Sequence, residues 1–81
     1  MILGEVVGRV WSEREVDGLG GLRMVIVREP GSEQRHVAVD LLDAGTGTTV
    51  LLATDEAAAA VTGRSCVDAA VVALVAGWDQ P

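Results

Sequence analysis

The chain is 81 residues long, 49% of them hydrophobic, with a formal charge of −6 at pH 7 and an isoelectric point near 4.4. A chain this short makes one domain, residues 1–81, burying only about 60% of its unfolded surface, and its acidity argues against a polyanion-binding face, because phosphate contacts need clustered Lys or Arg. There is no Lys and the six Arg residues stand singly, so neither nucleic acid nor an anionic membrane is expected as a partner.

Residues 1–15 alternate, with Ile2, Gly4, Val6, Gly8 and Val10 on one face and Leu3, Glu5, Val7, Arg9 and Trp11 on the other, the period of a strand. The alternation is expected to be a strand and not the apolar block of a signal peptide. Two glycines on the inward face mark bending or close approach of another backbone, so this first strand should curl as barrel strands do. Asp17-Gly18-Leu19-Gly20-Gly21 breaks it. Leu22 to Arg28 is a second strand, apolar at nearly every position except Arg23, as expected when both faces are covered.

After a turn at Glu29-Pro30-Gly31-Ser32, residues 34–42 form a third strand, with Val37 and Val39 on one face and His36, Ala38 and Asp40 on the other. A glycine-punctuated turn, Ala44-Gly45-Thr46-Gly47-Thr48, leads into a fourth strand over residues 49–53. Thr54 can then cap a short helix whose first turn carries Asp55 and Glu56, the right sign for the helix dipole, with Gly63 as its stop. Residues 67–77 are a fifth strand of Ala and Val, too apolar for an exposed edge in a monomer. Five strands and one short helix predict a mainly β fold, a small OB-like barrel.

Phe and Tyr are absent and the only aromatics are Trp11 and Trp78, which favours close-packed strands over an aromatic ligand pocket. One face of the last strand can fill the barrel, but its other face needs cover, and another copy of the chain is the simplest cover. Val7, Trp11, Val71, Ala73 and Val75 are the candidate interface residues. No run approaches the ~18 apolar residues of a membrane helix.

Reactive chemistry finds little support. Asp40 and Asp68 could suggest an acid/base pair, but no partner or cleft is visible, and each is expected to accept backbone N–H bonds at a strand end. His36 is the only histidine and no metal-ligand spacing surrounds it. The lone Cys66 cannot form an internal disulfide, which fits a reducing cytosol, and it has no evident base to make it a nucleophile. The Gly18–Gly21 stretch lacks the third glycine of a dinucleotide fingerprint. No cofactor is expected.

Three stretches together resemble one family, the pentameric vertex proteins of bacterial microcompartment shells, of the ethanolamine-utilisation and carboxysome type. Gly8-Arg9-Val10-Trp11-Ser12, followed by Leu19-Gly20-Gly21-Leu22-Arg23-Met24-Val25-Ile26-Val27, is similar to its opening strands. Ala38-Val39-Asp40 with Ala44-Gly45-Thr46-Gly47 resembles its A-x-D-x-x-G-A-G-x-G-E element, and Val67-Asp68-Ala69-Ala70-Val71-Val72-Ala73-Leu74-Val75 its closing strand. The chain departs at Asp43, where the family usually has Gly, at Thr48, usually Glu, and at Cys66, usually Pro.

The resemblance implies a structural homopentamer at the vertices of a shell in the cytoplasm, meeting hexameric and trimeric shell proteins and catalysing nothing. In a closed ring the side-chain-poor Ala44–Thr48 turn, with Gly45 and Gly47, can approach the axis; a simple hairpin turn is the other reading. An OB-like module for a small ligand or oligonucleotide is the alternative function, against which the acidic charge and the missing stacking aromatics weigh.

Overall fold

Alternating apolar side chains, interrupted twice by one extra residue, curl five strands into a closed barrel in the computed structural model, which describes residues 1–79. The elements in order are β1 (Ile2–Val10), a 3-10 turn (Asp17–Leu19), β2 (Met24–Arg28), β3 (Arg35–Asp40), β4 (Thr49–Thr54), α1 (Asp55–Thr62) and β5 (Ala69–Leu74). Around the barrel they run β1-β2-β3-β5-β4, with β4 pairing back onto β1. Every pairing is antiparallel except that of β3 with β5. The expected mainly β, five-stranded barrel with one helix is the observed one.

The first strand is shorter than its alternation suggests. Val7 is an extra residue between the pairs Val6↔Val27 and Gly8↔Ile26, a bulge that sharpens the local bend. Because β2 begins at Met24, opposite Val10, the chain beyond Val10 has no ladder partner, and residues 11–17 are exposed. The fifth strand has the same device: Val72 is the extra residue between Leu52↔Val71 and Leu51↔Ala73, and pairing ends at Leu74 instead of running to residue 77.

Two apolar clusters divide the interior. Val6, Val25, Val27, Ala38, Ala44, Val50, Leu52, Ala69 and Val71 fill the barrel. Val39, Ala58, Val67 and Ala70, flanked by Leu19, Leu22 and Met24, form a second layer outside it, where α1 and the loop before β2 lie over β3 and β5. The outer face of β5 is thus covered by the chain itself at Ala70, and only farther along is it left half-buried. Each fully buried Val or Leu contributes about 1.5–3 kcal/mol, against about 0–1 kcal/mol for the half-exposed Arg28–Glu5 pair (3.0 Å). The clusters, not the surface ion pairs, hold the barrel.

The helix begins and ends differently from expectation at one end only. Thr54 makes no capping bond through its side chain; instead the N–H of Asp55 donates to the backbone carbonyl of Asp68 (2.8 Å), and Asp55 takes a left-handed φ of 52°. Gly63 closes the helix in the left-handed conformation, φ 68°, as its position suggests.

Gly4 is where another backbone comes close: a Cβ there would overlap the Val27 side chain and lie 2.9 Å from the Arg28 carbonyl oxygen. At Gly8 the same Cβ would meet only Ile26 Cδ1 at 3.6 Å, an ordinary contact. Gly4→Ala is therefore expected to destabilise the barrel by about 1–3 kcal/mol through overpacking, lowering the melting temperature by several degrees, while Gly8→Ala stays near wild type. Equal melting temperatures for the two variants would contradict the close approach.

Candidate functional site

The turn after β3 is held from beneath by one buried carboxylate. Asp40 is the last residue of β3 and the only buried charged residue among those described. Its Oδ2 accepts from Arg23 Nε (2.9 Å) and from the N–H of Ala44 (2.8 Å), and its Oδ1 accepts from the N–H of Leu42 (3.0 Å). A carboxylate this enclosed needs a charge partner and satisfied lone pairs, and it has both. Asp40 therefore accepts backbone N–H bonds at a strand end, as expected.

Arg23 is the residue of this turn that a reading of the arginines as standing singly misses. Beyond its bond to Asp40 it donates through Nη2 to the Ala44 carbonyl (3.2 Å), and its Nη1 lies 3.6 Å from Asp43 Oδ1. Its backbone carbonyl also accepts from the Asp40 N–H (2.8 Å). The signal was present in the sequence: Arg23 is the one charge in an otherwise apolar run, and a lone charge there needs a partner. Asp43, at the position where the resembled family has Gly, adopts a left-handed φ of 56°, which disfavours L residues other than Asn and Asp.

The Ala44–Thr48 turn is fixed at both ends and open at its tip. Ala44 is buried in the barrel cluster, so its side chain anchors the turn and lines no axis. Gly45, Thr46 and Gly47 are exposed. Gly47 N–H donates to the Val6 carbonyl (2.7 Å), Val6 N–H to the Thr48 carbonyl (2.9 Å) and Thr48 N–H to the Gly45 carbonyl (3.1 Å), which pins the turn against β1. Gly47 has φ 92°, a conformation that favours glycine.

Asp68 differs from expectation. Its side chain is exposed and, among the described residues, accepts no hydrogen bond; its structural part is played by its backbone carbonyl, which receives the Asp55 N–H. The two carboxylates are unlike because Asp40 ends a strand under a turn, while Asp68 precedes β5 at the barrel rim. Asp55, Asp68, Ile2, Val37 and Ala69 line an open cleft of about 540 Å³ there.

Of the candidate interface residues, Val71 is fully buried in the barrel and offers nothing to a neighbour. Val7, Ala73 and Val75 are half-buried and Trp11 is 74% exposed. His36 pairs with Glu29 (Nε2 to Oε2, 2.7 Å), and no group of three His, Cys, Asp or Glu residues among those described could hold a metal ion. Cys66 is exposed, and its Sγ would be 2.8 Å from a Cβ at Gly18. The loop carrying Gly18 and Gly20 is held by Arg64 Nη1, which donates to their carbonyls at 2.7 and 3.4 Å, so its geometry serves packing.

A closed five-stranded β-barrel, in which the one buried charge among the described residues braces a turn, belongs to the class of small OB-like barrels. A family model described as "Ethanolamine utilisation protein EutN/carboxysome" matches residues 1–75, and the chain belongs to that family. A sequence comparison with curated proteins finds no match. Among solved structures, the chain is similar to the GrpN pentameric microcompartment shell protein from Rhodospirillum rubrum, at 29% identity and TM-score 0.90 over 100% of both chains. It is similar to Gloeobacter violaceus CcmL at 26% identity and TM-score 0.92, over 99% of this chain and 90% of that one. For Escherichia coli EutN the values are 30% and 0.79, over 93% and 84%.

The contrast between the two aspartates is measurable. Asp40→Ala is expected to cost about 1–3 kcal/mol, because it strands buried donors and the Arg23 guanidinium, whereas Asp68→Ala should leave the single subunit, at concentrations too low for assembly, within about 0.5 kcal/mol of wild type, as exposed substitutions do. Denaturant titration of both variants checks this, and a larger loss at Asp68 than at Asp40 would reverse the assignment.

Proposed function

We propose that the chain is a homopentameric shell protein that caps the vertices of a polyhedral bacterial microcompartment in the cytoplasm, where it meets hexameric and trimeric shell proteins and catalyses no reaction. The observation that carries this reading is the end-to-end superposition on a pentameric microcompartment shell protein, 100% of each chain at TM-score 0.90. The surface supports it. Trp11, Val37, Val61 and Leu74 are all more than half exposed, more apolar surface than an 81-residue monomer has reason to leave in water.

Leu41 and Leu42, 43% and 42% exposed, stand immediately before the turn that Asp40 braces. Apolar side chains beside a tip of Gly45, Thr46 and Gly47 suit a place where copies converge on an axis, and this turn is our candidate axis loop. Val7, Trp11, Ala73 and Val75 are the candidate seam residues. A flat layer of hexamers cannot close on itself, and fivefold units supply the curvature that closes it.

Native mass spectrometry of the purified chain is expected to give a mass five times that of the monomer at micromolar concentration; a monomer alone would refute the ring. In cells, deletion of the protein should leave shells open or elongated while the enclosed enzymes keep their activity, and electron microscopy showing closed polyhedra with no second vertex protein present would refute the vertex role.

A further inference from the structure

Two surface features, one at each end of the Ile2–Val10 strand, are opposite in charge. At one end, Arg9 and Trp11 form a knob: the guanidinium lies 4.8 Å from the centre of the indole, and both residues are exposed. A cation stacked on an exposed ring in this way is attracted by the ring's quadrupole. Among the described residues Arg9 has no carboxylate partner. At the other end is the 540 Å³ cleft, whose apolar floor is Ile2, Val37 and Ala69 and whose rim carries Asp55 and Asp68.

Neither rim carboxylate is in an ion pair among the described residues. The one imidazole lining the cleft, His36, is already engaged by Glu29. The Asp55 N–H bond to the Asp68 carbonyl ties the two sides of the rim together, so the acids sit on a fixed frame. The cleft thus offers an apolar floor for an indole and two unpaired acids for a guanidinium, and the knob presents that same pair.

We propose that the Arg9–Trp11 knob of one copy seats in the Asp55/Asp68 cleft of the next, with Trp11 on Ile2, Val37 and Ala69 and Arg9 on the rim acids. Within one subunit the knob is not seated in the cleft, since Arg9 meets no carboxylate there among the described residues. Ile2 lies at the far end of the nine-residue β1, roughly 26 Å from Val10 at about 3.3 Å per residue, while Val37 faces the knob side from two strands across. A contact in which one patch of a subunit engages a different patch of another is heterologous, and heterologous contacts build rings when their rotation closes. The seating therefore supplies a head-to-tail seam of the kind a fivefold ring requires, and it rests on the homopentamer reading above.

The test is a charge exchange in the full-length chain, read by native mass spectrometry with far-ultraviolet circular dichroism as the folding control. Arg9→Asp and Asp68→Arg are each expected to lose the pentamer while keeping the barrel's dichroism, and the double variant is expected to recover it. Trp11→Ala should also lose it. Folded pentamers in both charge-reversal single variants, or folded singles with no recovery in the double, would overturn the seating while leaving the ring itself in place. A wild-type chain that is monomeric would overturn the homopentamer reading instead. Should a charge reversal unfold the barrel, Arg9→Gln and Asp68→Asn decide: each is expected to raise the midpoint concentration of assembly about fivefold or more, and unchanged midpoints would overturn the seating. Recovery of the pentamer by the double variant excludes a small ligand as the cleft's necessary occupant.

Discussion

A curled sheet of five strands leaves two raw edges unless something joins them, and here the last junction is the short parallel pairing of β3 with β5, Val39↔Ala70 and Asp40↔Val71. Much of the molecule's arrangement follows from that junction. It drives Val71 into the barrel and Ala70 under the helix, so one strand contributes to both apolar layers. It also encloses Asp40 at the point where β3 ends. A carboxylate placed there is tolerable only with a cation and several donors around it, and Arg23 with the N–H groups of Leu42 and Ala44 provides them. The turn that follows inherits its shape from this neutralisation, so closure of the sheet and presentation of the Gly45–Gly47 tip are one physical problem with one solution.

The same economy explains how structures at 26–30% identity superpose on this chain at TM-scores of 0.79–0.92. Closure asks for small or β-branched apolar residues at inward positions, glycine where strands crowd, and an extra residue where a strand must bend. Many sequences meet those conditions, since cores tolerate exchange among apolar side chains when volume and patterning are kept. The surface is freer still. What it must retain for assembly is complementary patches at the right separation, and an acidic subunit with few arginines has few ways to place attractive charge opposite its own carboxylates.

Much of the fold was legible in the sequence because alternation, breakers and the Gly63 stop are local signals. All five strands and the helix lie where the pattern puts them. The ends of β1 and β5 were not legible, since Val7 and Val72 are extra residues only with respect to partners many positions away, and a ladder stops where its neighbour begins. Cover of Ala70 by α1 was hidden for a related reason: an alanine helix carries no large apolar stripe to announce what it packs on. Asp40 and Asp68 each follow a valine and look alike in the chain, yet one is enclosed and the other exposed, a difference created by tertiary position alone. Arg23 was legible in principle, as a charge where every neighbour is apolar.

The barrel is built without any aromatic residue inside it. Phe and Tyr are absent from the chain, and its two indoles, Trp11 and Trp78, are 74% and 51% exposed. The ultraviolet emission of this protein therefore originates at its surface. Melting of the valine and leucine interior of a single subunit moves no indole out of that interior, so the emission maximum is a poor thermometer of the core. Events that cover or uncover the outside of the subunit act on the indoles directly, which makes the optical spectrum of the chain a reporter of company more than of folding.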